Sequence, residues 1–519
     1  MRSRPPALAG GIVQLLVVTC LAALPAGAEE HFHLFPETEG PPPAGLRVQL
    51  EGLPPSTPLA ALHGSPARRM PPRATSPAAD VLPPYPTEKR LAAAALGVPA
   101  RAATDEVPQP PTPSAEAPAS EEAPRPAGTL IRNREAPSGE QEAAPRPDNT
   151  PLTGTLTGFI AFPGTKVLFK PGGLVRLQLV STSKAVGEQD KWVTSSIPVK
   201  GQSGYNTGEQ FNANANQSRI NLDVRATTPF GPLRVYYEND FSDTSGQSFA
   251  YHIRHFYVQV ANFFAGYGNS TLVNVDAAAE TLDLQGPNGA VKKRHAQARY
   301  TAVLARGSGS ATTLAVSLED PGSEVPSSLT PRSAAPDGVV ALRWEGRHGH
   351  IQLGGLARSI GYQDSSTGAG QAVFGWAVSL AGDLNLGARD HVSGQVAGGE
   401  GAGAYFADTA GGHYDAALTQ GGQLRALPII GGFAAFTHFW SDRWRSSVSY
   451  GYLALDDTAY AASLGAAAFQ RSQYASANVL WTPSRHFFIG LEGLYGTNKV
   501  ISGSAGEAWR MMLNAQYSF

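Results

Sequence analysis

Trp509–Phe519 reads WRMMLNAQYSF and ends the chain. Met511, Leu513, Ala515, Tyr517 and Phe519 share one parity; Arg510, Met512, Asn514, Gln516 and Ser518 share the other. Side chains of a β-strand alternate between faces, so this strand has one mainly apolar face and one mainly polar face. The same period recurs far upstream. In Leu174–Val180, Val175, Leu177 and Leu179 alternate with Arg176 and Gln178. In Arg219–Ala226, Ile220, Leu222, Val224 and Ala226 alternate with Arg219, Asn221, Asp223 and Arg225. Leu233–Phe241 repeats the theme, with Arg234, Tyr236, Glu238 and Asp240 on one face. A soluble sandwich also alternates. Its polar face meets bulk water, however, and has no need of so many arginines beside acids.

Working outward, the pattern predicts strands at Phe249–Val260, Phe263–Gly268, Lys292–Thr301, Ala311–Glu319, Gly338–Glu345 and His350–Ile360. Others follow at Ala372–Leu380, Asp390–Ala397, Pro428–Trp440, Arg443–Leu455, Arg471–Trp481 and Phe487–Tyr495. With the four above they make sixteen. Parity shifts near His255, which a β-bulge explains. Asp320–Asp337 and Gly399–Gln420 read as loops rich in Gly, Pro, Ser and Ala. An even strand count with alternating short and long connections is the pattern of an outer-membrane barrel. Phe436, Phe439, Trp440 and Trp444 surround one turn, and Trp481, Phe487, Phe488 and Tyr495 another, as an interfacial aromatic girdle requires. The terminal Phe519 after a strand of correct parity resembles the C-terminal signal of bacterial outer-membrane proteins.

The N-terminus agrees. Arg2 and Arg4 precede an apolar run, Ile12–Leu24, too short to span a bilayer, and Ala26-Gly27-Ala28 is a small-residue cleavage site. Residues 1–28 therefore read as a secretory signal peptide. Val17-Val18-Thr19-Cys20 fits a lipoprotein box poorly because of Thr19. Cleavage after Ala28 leaves no cysteine, hence no disulfide framework. Residues 29–150 hold most of the 28 prolines found before position 151, out of 41 in all. That composition cannot bury enough apolar surface to offset its ordering entropy, so the segment is expected to be a disordered or extended periplasmic tether. Residues 151–519 are left for the barrel. A formal net charge of −2 says nothing about partners.

The segment Asn269–Gly289, NSTLVNVDAAAETLDLQGPNG, is far longer than a hairpin loop of two to five residues. It carries Leu272, Val273, Val275, Leu282 and Leu284 together with Asp276, Glu280 and Asp283. A loop this apolar packs against something, and in a wide barrel it can fold into the lumen and narrow it. Arg176, Arg219, Arg225, Arg234 and Arg254 would then line one wall, with Arg299 on the polar face of its own strand. The loop acids would face them across a transverse field. Cross-strand pairing of Arg219 with Asp223 and of Arg225 with Glu238 is the plainer use of the same charges. Arginine suits anion recognition because its planar fork stays ionised and grips carboxylates bidentately.

By Thr301 the residues also resemble a family. Gln217-Ser218-Arg219, Asp223, Arg225-Ala226-Thr227-Thr228-Pro229, Gly231 and Leu233 are similar to the second-strand motif of the DcaP-like trimeric porins. Arg254-His255, Tyr257, Ala265-Gly266, Ser270-Thr271, Asp276-Ala277, Glu280-Thr281-Leu282-Asp283, Gly286-Pro287 and Arg299-Tyr300-Thr301 continue the match. Gly268-Asn269 stand where the family usually carries a Trp, and Ala279 where it carries a Pro. The resemblance implies a homotrimer of sixteen-stranded all-β barrels with a constriction loop, passing small organic anions such as dicarboxylates. A plugged structural or adhesion-type barrel with a proline-rich arm is the alternative. The sequence offers no nucleophile elbow and no metal-ligand spacing. It is read as a non-enzyme without cofactor, metal or nucleic-acid partner, embedded in outer-membrane lipid.

Overall fold

The computed structural model describes residues 144, 158–242, 250–364, 367–456 and 464–519. The signal peptide and, apart from the buried Ala144, the proline-rich segment lie outside them. Sixteen long strands form the wall. The first eight are β1 (Leu168–Thr182), β2 (Arg219–Thr228), β3 (Gly231–Asp240), β4 (His252–Val260), β5 (Phe263–Asn269), β6 (Arg294–Gly307), β7 (Ser310–Glu319) and β8 (Asp337–Gly346). The rest are β9 (Gly349–Gln363), β10 (Gly370–Leu386), β11 (Asp390–Glu400), β12 (Pro428–Phe439), β13 (Trp444–Leu455), β14 (Phe469–Ser484), β15 (Phe487–Val500) and β16 (Ala505–Ser518). Each pairs antiparallel with the next, and β16 pairs with β1 from Leu174↔Ser518 to Thr182↔Arg510. The sheet is therefore closed and has no free edge. All sixteen expected strands are present, most of them longer at one or both ends than their periodic cores.

Burial follows the alternation. On β16, Met511, Leu513, Tyr517 and Phe519 are exposed on the outside, while Arg510, Met512, Asn514 and Gln516 are buried inside. On β1, Val175 and Leu177 point out and Arg176 and Gln178 point in. This is the reverse of a soluble protein and is what a lipid solvent selects. The parity shift near His255 is a register break between Glu238 and Asn239. Arg254 and His255 are consequently both buried. The girdle is partly as expected. Trp440, Trp444 and Trp481 are exposed outside, with Trp444 and Trp481 stacked at 6.1 Å. Phe488 corrects it: this ring is buried inside against Leu282 and Leu480.

Short turns such as 229–230, 261–262, 308–309 and 485–486 occupy one rim, together with Phe519. The other rim carries the long connections, and here the sequence reading needs its main correction. The connections 320–336 and 401–427 are more than surface loops. Ala402, Ala404, Tyr405, Phe406, Leu427 and Val325 are buried almost completely. Leu272, Tyr405, Phe406 and Leu427 join Val339, Leu356, Ile429, Leu453 and Phe469 of the inner wall in one apolar cluster. The 401–427 connection also folds its own small hairpin, Ala416–Leu418 with Leu424–Ala426. A barrel lumen thus contains a hydrophobic core built by its own loops.

Candidate functional site

The wall from β1 to β6 carries the arginines. Arg176, Arg219, Arg225, Arg234 and Arg254 are all buried on the inner face. Arg299 is half-buried there, with its guanidinium 4.7 Å from the Phe264 ring centre. Strand carboxylates hold Arg219, Arg225, Arg234 and Arg254. Asp223 takes Arg225 Nε at 2.8 Å and Arg234 Nη2 at 2.9 Å. Glu238 takes Arg219 at 3.4 Å and Arg254 at 3.1 Å, and Asp240 takes Arg254 at 2.6 Å. The register explains the pairing, because Asp223 faces Tyr236 and Arg225 faces Arg234 across β2 and β3. The like-charged Arg225–Arg234 pair is tolerable only because Asp223 sits between the two. Tyr236, Tyr257 and Phe264 form a small aromatic cluster on this wall, and Arg234 lies 4.8 Å from the Tyr236 ring centre. The sequence reading placed Tyr236 on this face but missed Tyr257 and Phe264; on β5 Phe264 shares its parity only with Gly266 and Gly268, so no polar alternation marked it.

The 270–293 connection does enter the lumen. Ser270 Oγ donates to Glu319 at 2.6 Å as the chain leaves β5. Asn274 then caps the short 3₁₀ turn Val275–Ala277 and reaches His350 on β9. On the far side Glu280, Leu282 and Asp283 rest against β13 to β16 and β1. Asn478 donates to the Glu280 carbonyl at 2.7 Å, the Asp283 amide donates to Glu492 at 2.8 Å, and Asn514 donates to the Leu282 carbonyl at 3.2 Å. Arg176 also donates to the Leu282 carbonyl. The chain crosses from the β5–β6 wall to the opposite wall and returns.

The acids do not meet the arginines as the sequence suggested. Asp276 pairs with Arg343 of β8 at 2.8 Å, and Glu280 with Arg445 of β13 at 2.7 Å. Asp283 is fully buried and accepts backbone N–H groups of Trp192, Gln285 and Gly286. Burial pushes its carboxyl above the ordinary range, and Arg510 opposes the shift. The ion pairs of Arg219, Arg225, Arg234 and Arg254 run instead to strand carboxylates, and Arg225 takes Asp223 rather than Glu238. Arg343 and Arg445 were not singled out from sequence. Their only sign was polar parity on β8 and β13.

Two further connections meet this loop. Lys292 N donates to Tyr405 O at 2.8 Å and Ala407 N to Ala290 O at 2.9 Å, around a Val291–Phe406 bridge. Asp408 accepts from Thr194 N at 2.8 Å, Thr194 Oγ1 at 2.7 Å, Ser195 N at 2.7 Å and Ser472 Oγ at 3.1 Å. Its burial pushes the carboxyl up to about 6, with the hydrogen bonds from Thr194, Ser195 and Ser472 acting against the shift. Arg358 of β9 ties Asp337 at 3.2 Å and Asp415 at 3.1 Å, and so fastens the 401–427 connection to the wall.

Residues 173–519 match the family model of the DcaP outer membrane protein. No curated protein matches the chain. The crystal structure of the outer membrane channel DcaP of Acinetobacter baumannii aligns with a TM-score of 0.60 at 21% identity, covering 68% of this chain and 97% of that one. The trimer form of OmpT from Vibrio cholerae aligns with a TM-score of 0.43 at 12% identity, covering 68% of this chain and 100% of that one. The family match spans well over half of the chain and coincides with the closed, inside-out barrel, so this chain belongs to the DcaP outer membrane protein family and is a β-barrel of the Gram-negative outer membrane.

Proposed function

We propose that the barrel is a passive diffusion channel for small hydrophilic solutes, with a preference for small organic anions such as dicarboxylates, and that it works as a homotrimer. The carrying observation is the charge balance of one wall. Arg176, Arg219, Arg225, Arg234, Arg254 and Arg299 share the inner faces of β1 to β6 with only three acids on β2 and β3, Asp223, Glu238 and Asp240. The three loop acids add little opposing field: Asp276 and Glu280 are neutralised by Arg343 and Arg445, and the charge of Arg510 opposes that of Asp283. An excess of fixed guanidinium charge in a narrow lumen of low dielectric attracts and orients carboxylates. The pore-lining set is thus Arg176, Arg219, Asp223, Arg225, Arg234, Glu238, Arg254 and Arg299, with Asp276, Glu280 and Asp283 on the loop that narrows the path. Planar-bilayer recordings in a salt gradient test this: an anion-selective reversal potential is expected, and current carried by a dicarboxylate salt.

A second reading has its own observation. The apolar cluster of Leu272, Tyr405, Phe406 and Leu427 fills part of the lumen, as a structural plug would. A plugged barrel gives no conductance steps in the same recordings.

A further inference from the structure

We infer that the aperture is set by three interlocked segments, and that Asp408 is the positioning residue that pins them. This deepens the channel reading and rests on it. The three are the 270–293 loop, the 401–427 connection and the Thr194–Ser196 turn of the 183–218 connection. Each long loop is tethered at its two strand ends and to the wall, and contacts between loops fix their positions relative to one another. The backbone bonds between Ala290–Lys292 and Tyr405–Ala407 join the first two. Asp408 then joins the second to the third through three donated hydrogen bonds from Thr194 and Ser195, and takes a fourth from Ser472 of β14. Ser195 Oγ adds a fifth bond, to the Asp408 carbonyl, at 2.5 Å.

Ser472 closes the ring. Its hydroxyl also accepts from Asn288 Nδ2 at 2.7 Å, so one wall residue on β14 touches both inward loops. The third segment has its own wall anchor, Asn498 of β15, which donates to the Ser195 and Ile197 carbonyls at 2.8 and 2.9 Å. Asp408 is 3% exposed, and its four carboxylate bonds come from hydroxyl and amide groups. A buried carboxylate is costly unless fully hydrogen-bonded, so truncating it leaves several buried donors without an acceptor. Loss of this one side chain therefore frees the 401–427 connection from both the Thr194–Ser196 turn and Ser472 of the wall.

Deuterium exchange and single-channel recording on the full-length protein test this, with Asp408→Ala, Asp408→Glu and Thr194→Val. Asp408→Ala is expected to speed exchange about tenfold or more in both 194–196 and 401–412, and to raise conductance and open-state noise. Thr194→Val removes one donor and should do the same more weakly. Asp408→Glu keeps the carboxylate and should restore much of the protection. All variants are first checked for the heat-modifiable mobility of a folded barrel, and Thr194→Val stands in if Asp408→Ala does not assemble. Faster exchange confined to 401–412 overturns the interlock. Faster exchange in both segments with unchanged conductance and noise overturns its role in the aperture. A wild-type protein that never conducts sinks the channel reading and with it the aperture, while exchange still decides the interlock.

Discussion

At the residue scale the inner wall is a ledger of fixed charges. Glu238 is shared by Arg219 and Arg254, and Arg254 also holds Asp240. Removing Arg254 therefore deletes one positive charge and leaves two carboxylates less compensated. Arg254→Ala and Arg219→Ala are each expected to shift the reversal potential toward cations in a salt gradient, Arg254→Ala by more. Neutralising Asp276, Glu280 and Asp283 together is expected to shift it the other way. The shift should be pronounced, because Arg343 and Arg445 then stand unpaired in place of two neutral pairs. If none of these changes moves the potential, the residues do not line the conducting path. Asp408 makes a pH prediction. An unfolded aspartate titrates near 4, whereas burial holds this one up to about 6. The folded state binds the proton more tightly. The associated stability is fully present below about pH 4 and is lost as pH rises through about 6, on the order of 1–3 kcal/mol. Urea unfolding of wild type and Asp408→Asn across this window should show the difference between them changing between pH 4 and 6 and flat above 7. A constant difference throughout means that Asp408 does not titrate there.

At the element scale the inward loop is seated by close backbone approach. A Cβ at Gly289 would lie 2.3 Å from Gly432 N and Tyr452 O and 2.5 Å from Gly432 O, all backbone atoms that cannot yield. Gly432 and Tyr452 are register partners on β12 and β13. Gly289→Ala must therefore lift the return limb of the loop off that wall, at a cost of about 1–3 kcal/mol. The expected outcome is protease cleavage within 270–293 of the folded protein under conditions where the wild type resists. Equal resistance means that the loop is held elsewhere. The 3₁₀ turn capped by Asn274 and the Ser270–Glu319 bond secure the outgoing limb and are untouched by this change.

At the scale of the whole molecule the seam between β16 and β1 decides closure. Phe519 exchanges two backbone bonds with Gly173, at 3.0 and 3.2 Å, and its ring is exposed on the outer face. Deleting Phe519 removes both bonds and an apolar group that lipid would cover. Outer-membrane levels of the folded protein are expected to fall severalfold while synthesis is unchanged. Normal levels would count against the seam as the determinant of assembly. Circular dichroism of the folded protein should be dominated by strand, since the described residues contain only three short 3₁₀ turns beside the sheet.

The period-two alternation of β1, β2 and β16 fixed which side chains face lipid, because a strand leaves only two faces and the bilayer accepts only one kind. It also fixed the number of strands and the bulge near His255. The length and apolar content of Asn269–Gly289 were enough to send it inward. Partnership was not legible. Whether Asp276 meets Arg254 or Arg343 depends on how far the loop travels before it touches the wall, and that distance is set by contacts hundreds of residues away in sequence. The same holds for 401–427. Its glycines and alanines read as a solvent loop, since small residues carry no periodic signal. Only in the tertiary structure do Ala402 and Ala417 join Leu272 and Phe469 in one buried cluster, where small side chains are what allow two backbones to meet.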